Sequence, residues 1–149
     1  MERILISACL LGVCCRYDGN EKANEEVLKW IQCKDIQWIP ICPEQLGGLC
    51  TPRLPSERIG DKVVNVEGMD VTAYFEKGAQ QALKIAKLYG CRYAVLKERS
   101  PSCGKGTIYD GTFSGGLKDG NGVTAELFEK NGITIFGESN ISELLKQIV

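Results

Sequence analysis

The sequence predicts an α/β fold: a three-layer α/β/α domain with a mainly parallel, Rossmann-like sheet of about four to five strands. Two observations carry that reading. Short β-rich apolar runs alternate with helical stretches in the order β-α-β-loop-α-β-loop-α-β-α, and such alternation argues for parallel strands covered on both faces by helices. Length and composition agree, since 149 residues, 44% hydrophobic and 25% charged, suit one domain with a single core. Residues 1–149 are therefore expected to form a single domain.

The elements follow in order. Arg3 to Cys9 is the first strand. Glu21 to Cys33 carries Val27, Leu28, Trp30 and Ile31 at the spacing of an amphipathic helix. Ile36 to Cys42 is the second strand, with Pro40 near its end. A loop over 43–58, rich in Pro and Gly, is too long for a plain connector and reads as functional or mobile. Asp61 to Val66 suits a short strand. Asp70 or Thr72 can cap a helix that runs through Leu88 and stops at Gly90. Arg92 to Lys97 is the third strand, followed by a second long loop over 98–122. Val123 to Asn131 is a helix ended by Gly132, Ile133 to Phe136 the fourth strand, and Ile141 to Val149 the last helix, capped by Asn140 or Ser142.

Charge narrows the partners. Net charge is −1, with no run of Lys and Arg longer than two, so the electrostatic footprint of a nucleic-acid binder is missing. A small nucleobase needs no such footprint and remains a possible substrate. Ile4 to Val13 is largely apolar but too short to span a bilayer. Only Arg3 precedes it, Glu2 opposes that charge, and Arg16-Tyr17-Asp18-Gly19 follows with no small-x-small cleavage site. A buried strand is the better reading than a signal peptide, and a cytoplasmic protein without membrane contact is expected.

The chain has eight cysteines and no histidine. A core of this size needs no disulfide staples, and in a reducing compartment cysteine enrichment points to metal or thiol chemistry. Without imidazole, any metal site is dominated by thiolates, and any proton transfer falls to carboxylate, Lys, Tyr, Cys or water. Right-handed crossovers gather the strand carboxyl ends on one edge, where open α/β sheets bind ligands. Cys9 and Cys42 end strands there, and Cys103 follows the third strand. Cys14, Cys15 and Cys50 lie in loops of the same edge. Cys33 and Cys91 fall at the opposite edge and read as small buried hydrophobes. No C-x-x-C pair is present, which disfavours zinc ribbons and thioredoxin-like pairs. Separated thiolates without histidine suit an iron–sulfur cluster, and three ligands instead of four would leave one iron open as a Lewis acid. Two other readings stand beside this one. One is a cysteine-rich zinc or thiol-redox protein. The other is a small-molecule-binding module without catalysis, whose cysteines merely pack.

Several motifs then occur in a specific order: Ser7-Ala8-Cys9-Leu10-Leu11-Gly12, Arg16-Tyr17-Asp18-Gly19, Cys42-Pro43-Glu44, Gly48-Leu49 with Pro52-Arg53, Leu96-Lys97, Ser100-Pro101-Ser102-Cys103-Gly104, and Gly122-Val123-Thr124-Ala125. Over nearly the whole chain this resembles a bacterial family, long described only as a domain of unknown function, that includes the thiouracil desulfidases. The resemblance implies a [4Fe–4S] cluster held by Cys9, Cys42 and Cys103, with Cys50 the competitor of Cys42 for the middle position. It implies non-redox removal of sulfur from a thiolated uracil, a small-molecule substrate, to give the oxo base and sulfide. Glu44 and Ser100 match the positions assigned to catalysis: Glu44 to move protons, Ser100 to hold water or the ring. The bland alternatives are a solvated loop carboxylate for Glu44 and a turn-former before Pro101 for Ser100. Arg16, Arg53, Lys97 and Arg99 are expected near the same edge, where cations could balance a thiolate-bound cluster. Which thiolated compound is used, and the oligomeric state, stay open at this point.

Overall fold

The computed structural model describes residues 1–148. Four parallel strands form the central sheet: β1 (Glu2–Ser7), β2 (Ile36–Ile41), β5 (Tyr93–Leu96) and β8 (Thr134–Gly137), in the spatial order β2-β1-β5-β8. Two small antiparallel hairpins stand apart from it, β3 (Ser56–Ile59) with β4 (Lys62–Asn65) and β6 (Thr107–Tyr109) with β7 (Leu117–Asp119).

Alternation along the strands decides the layers. Ile4 and Ile6 of β1, Val95 of β5 and Phe136 of β8 face one side. There they pack with Val27 of α1 (Glu25–Trp30) and with Ile141, Leu144 and Leu145 of α5 (Ile141–Ile148). Leu5, Ala94, Leu96 and Ile135 face the other side. They pack on Ala82 and Ala86 of α3 (Thr72–Tyr89) and on Ala125 and Phe128 of α4 (Val123–Lys130). The three-layer α/β/α arrangement expected from the sequence is present, with four parallel strands. No helix of the described residues is long and apolar enough to cross a membrane.

Several boundaries differ from the expectations, each for a local reason. The first strand ends at Ser7, and Ala8–Leu11 tightens into a 3₁₀ turn that carries Cys9. The first helix begins at Glu25, because the Asn24 side chain accepts the Val27 N–H at 3.0 Å. The preceding residues are committed elsewhere: the N–H groups of Lys22 and Asn24 donate to the carbonyls of Cys9 and Leu10, both at 3.0 Å. Asp70 does its capping from one residue further out, accepting the Thr72 N–H at 2.9 Å and the Thr72 hydroxyl at 2.6 Å. Gly90 stops α3 in the left-handed conformation at φ 66°. The end expected for the last helix, Val149, lies outside the described residues.

The two long loops hold the real departures. The first contains a one-turn helix, α2 (Pro43–Leu46), and then β3. The second contains the whole β6–β7 hairpin. Helix α2 lies directly on α3, backbone to backbone. A Cβ on Gly78 would collide with the Pro43 carbonyl, and one on Gly47 with the Tyr74 carbonyl. That close approach fixes α2, and with it the residues at the end of β2.

Candidate active site

In this sheet the connection from β1 runs outward to β2, whereas β5 lies on the opposite side of β1. The strand order therefore reverses between β1 and β5, and a crevice opens beyond their carboxyl ends. Ser7 stitches the two ends together. Its Oγ accepts the Lys97 N–H at 2.9 Å and donates to Cys103 Sγ at 3.5 Å. Cys9 follows β1 on the 3₁₀ turn, and Cys42 follows β2, flanking α2 with Pro43 in its first turn. Cys103 lies in the 100–104 loop after β5. That loop is held by the first turn of α4, whose N–H groups would otherwise be orphaned. Val123 donates to the Pro101 carbonyl at 2.9 Å, and Thr124 to the Ser102 carbonyl at 2.8 Å. The Gly122-Val123-Thr124-Ala125 motif is thus a clamp on the cysteine loop.

A cavity of about 360 Å³ occupies the crevice, and Cys9, Cys42, Cys103, Glu44 and Ser100 all line it. The five candidate residues come together from three separate parts of the chain. Cys50 does not line it and is exposed, as is Cys14. Cys33 and Cys91 pack on opposite faces of the sheet, as small hydrophobes. Arg16, Arg53 and Lys97 reach the cavity, whereas Arg99 is exposed and does not.

Cys15, placed at this edge from the sequence, and Ser102 also line the cavity, and neither was assigned a role from the sequence. Cys15 is buried and lines the cavity as a fourth thiol. The signal was its position immediately before Arg16-Tyr17-Asp18-Gly19, a quoted motif. Ser102 is also buried, and it joins the other two polar groups. Ser100 Oγ lies 2.9 Å from Ser102 Oγ, and Ser102 Oγ donates to Glu44 Oε2 at 2.9 Å. The other carboxylate oxygen, Oε1, accepts Arg53 Nε at 3.1 Å. Arg53 is fixed in turn by the Cys15 carbonyl at 2.9 Å and the Cys50 carbonyl at 3.2 Å. Ser100 Oγ also accepts the N–H groups of Ser102 and Cys103, both at 3.1 Å. Its turn-forming role is therefore real and coexists with its place in the chain of hydroxyls.

Burial and neighbouring groups raise Cys15, Cys42 and Cys103 above the ordinary thiol value. Burial pushes Cys103 up to about 12, against the hydroxyls of Ser7 and Ser102, which pull it down. The hydrogen bond with Cys15 and burial push Cys42 up as well. For Cys15 the Cys42 contact works downward, but the hydrogen bond with Cys9 and burial outweigh it and bring the thiol to about 11. A cationic centre that takes these groups as thiolates displaces protons as it binds. Among the described residues, no three Cys, Asp or Glu side chains are grouped tightly enough for a single metal ion.

Fold and site together define a class: an α/β protein with a cavity at the switch point of its parallel sheet, thiols in the cavity wall, and a carboxylate tied to two hydroxyls. The 2-thiouracil desulfurase family matches residues 4–140. The chain belongs to that family. It is similar to the uncharacterised protein YbbK of Bacillus subtilis (strain 168), with 41% identity over 152 residues, covering 95% of this chain and 99% of the relative. Among solved structures it is similar to the [4Fe-4S]-dependent thiouracil desulfidase TudS, at 44% identity and a TM-score of 0.92, with both chains covered completely.

Proposed function

We propose that residues 1–149 form a single desulfurase-like domain that removes sulfur hydrolytically from a thiolated nucleobase such as thiouracil, using a [4Fe–4S] cluster held by Cys9, Cys42 and Cys103. The observation that carries the reading is that these three thiols and the Glu44–Ser102–Ser100 chain share one cavity. The donor set fits the cluster chemically. It offers sulfur and no imidazole, in a chain without histidine, and thiolates are the normal ligands of iron–sulfur centres. When bound, a cluster with three protein ligands supplies an open iron, a Lewis acid suited to a soft thiocarbonyl sulfur.

The chain's own residues then handle water and protons. Arg53 holds Glu44 Oε1, leaving Oε2 toward Ser102. Glu44 takes a proton from the attacking water and returns it to the departing sulfur. Ser100 and Ser102 orient the water or the ring through their hydroxyls. A C–O bond forms and the C–S bond breaks. Water supplies the oxygen, and sulfur leaves as hydrogen sulfide with no change of oxidation state. The partner is a small molecule, and no nucleic-acid polymer or membrane is required.

The test is anaerobic reconstitution, followed by iron analysis and a sulfide-release assay on 2-thiouracil, 4-thiouracil and a thiolated nucleoside. The expected result is about four irons per chain and stoichiometric sulfide and oxo base from at least one substrate. A protein that takes up the iron but releases no sulfide from any of them overturns the reading.

A further inference from the structure

The cavity has a second wall, built by neither the parallel sheet nor its helices. Glu57 of the β3–β4 hairpin and Tyr109 and Phe113 of the β6–β7 hairpin all line it. Glu57 is a buried carboxylate, 8% exposed. Its Oε1 accepts the N–H groups of Gly111 at 2.9 Å and Phe113 at 3.1 Å. A buried side chain of one hairpin thus sets the backbone at the tip of the other. Asp110 pins the same tip, accepting the Thr112 N–H at 2.9 Å and hydroxyl at 2.6 Å.

Phe113 is held there at φ 58°. Bulky residues rarely adopt the left-handed region, and they persist in it only where the surroundings over-determine the backbone. Core packing does not explain the arrangement. Among the described residues, Phe113 belongs to none of the three apolar clusters. Its ring is half-buried and lines the cavity that also holds the thiols and Glu44. An aromatic face in a cavity recognises a flat ring by stacking, and the polar groups around it, such as Arg53, Glu44 and Ser100, can orient that ring.

We propose that Phe113 is the stacking platform for a planar heteroaromatic ring of the pyrimidine type, and that Glu57 is the positioning residue that sets it. The identity of the ring rests on the desulfidase reading; the platform itself rests on the two hairpins.

The experiment uses reconstituted holoprotein and two readouts: calorimetric binding of uracil, which carries no sulfur, and steady-state kinetics on 2-thiouracil. Phe113→Ala is expected to raise the uracil Kd and the 2-thiouracil KM by about tenfold, the usual scale of base–aromatic stacking. kcat is expected to stay within about threefold, because the interaction serves the ground and transition states alike. Phe113→Trp keeps a stacking face and retains both constants. Glu57→Ala reproduces the Phe113→Ala pattern, and Glu57→Gln, which keeps an acceptor oxygen for the two amides, restores it. Thermal unfolding of each variant separates loss of fold from loss of platform. Wild-type protein that binds neither uracil nor 2-thiouracil, or Phe113→Ala with unchanged Kd and KM, overturns the platform. Unchanged constants in folded Glu57→Ala overturn the positioning role. Phe113-dependent uracil binding without sulfide release from any thiolated base upholds the platform and sinks the desulfidase reading instead.

Discussion

Glu44 has each carboxylate oxygen assigned: one to Arg53, the other to Ser102. Glu44→Gln keeps an acceptor for Arg53 but removes the base. Sulfide release is expected to fall by about 10²- to 10⁴-fold, the usual contribution of general acid–base catalysis, with iron content per chain unchanged. Loss of iron together with activity sinks the proton-transfer role and makes Glu44 a structural residue. The cysteines separate in the same way. Cys42→Ala is expected to lose most of its iron and Cys50→Ala to keep it, measured as iron per chain after identical reconstitution. Iron lost in Cys50→Ala as well breaks the three-ligand assignment. The two residues were hard to tell apart in the sequence because Cys50 lies close by in the Pro- and Gly-rich loop that begins directly after Cys42. What separates them is α2, a single turn beginning at Pro43. It leaves Cys42 at the strand end and carries Cys50 past the turn to the surface. Four residues are too few for helical periodicity to show, so this distinction needed the fold.

Helix α2 carries little stability of its own, since so short a helix cannot pay for its nucleation. Its position comes from the contact with α3, where Gly47 and Gly78 let two backbones meet. Gly78→Ala forces α2 away and takes Cys42 and Glu44 with it. The expected cost is about 1–3 kcal/mol, the range of overpacked sites, seen as a lower thermal midpoint and accompanied by poorer iron uptake. Lys84→Ala, on an exposed position of the same helix, is the control and is expected to change neither. An unperturbed midpoint in Gly78→Ala means that α2 has room to shift, and the contact is not what fixes the site. The elements that were legible in the sequence are the ones whose apolar pattern repeats: β1, β2, β5 and β8, and above all the 18 residues of α3 with Phe75, Ala79, Ala82 and Ala86 on its buried face. The hairpins were legible only in part: the strand expected over Asp61 to Val66 is β4, at Lys62–Asn65, whereas β3, β6 and β7 were not expected. These three strands are three or four residues long and mix charged and polar residues with few apolar ones, as in Ser56-Glu57-Arg58-Ile59 and Leu117-Lys118-Asp119. They are held by contacts with distant parts of the chain that no local pattern announces.

At the scale of the molecule, the β3–β4 hairpin is tied to the sheet side of the cavity through Arg58. Its guanidinium meets Glu126 of α4 at 2.8 Å and the Asn121 carbonyl at 2.7 Å, while its own carbonyl accepts Lys118 Nζ at 2.8 Å. One residue thus joins both hairpins to the helix that clamps the Cys103 loop. The hydrogen bond from Arg58 holds the Glu126 carboxyl below its ordinary value of 4.5, outweighing the opposing effect of burial. A depressed folded-state pKa contributes stability that is fully present above the ordinary value and is lost as pH falls through the folded one. The thermal midpoint of the wild type is therefore expected to drop on acidification below about pH 4.5, and less so in Glu126→Gln, which has no proton to take up there. Glu126 remains 42% exposed, so solvent screening keeps the effect at or below about 1 kcal/mol, or roughly 2–4 °C in a chain of this size. Part of the acid slope persists in the variant, because hydrogen bonds from Thr72 and Thr112 depress Asp70 and Asp110 in the same way. Identical slopes in wild type and Glu126→Gln show that the Arg58–Glu126 ion pair carries no net stability. The hairpins then owe their place over the cavity to contacts that do not titrate there, among them Arg58 with the Asn121 carbonyl, Lys118 with the Arg58 carbonyl and Val63 packed on Phe75.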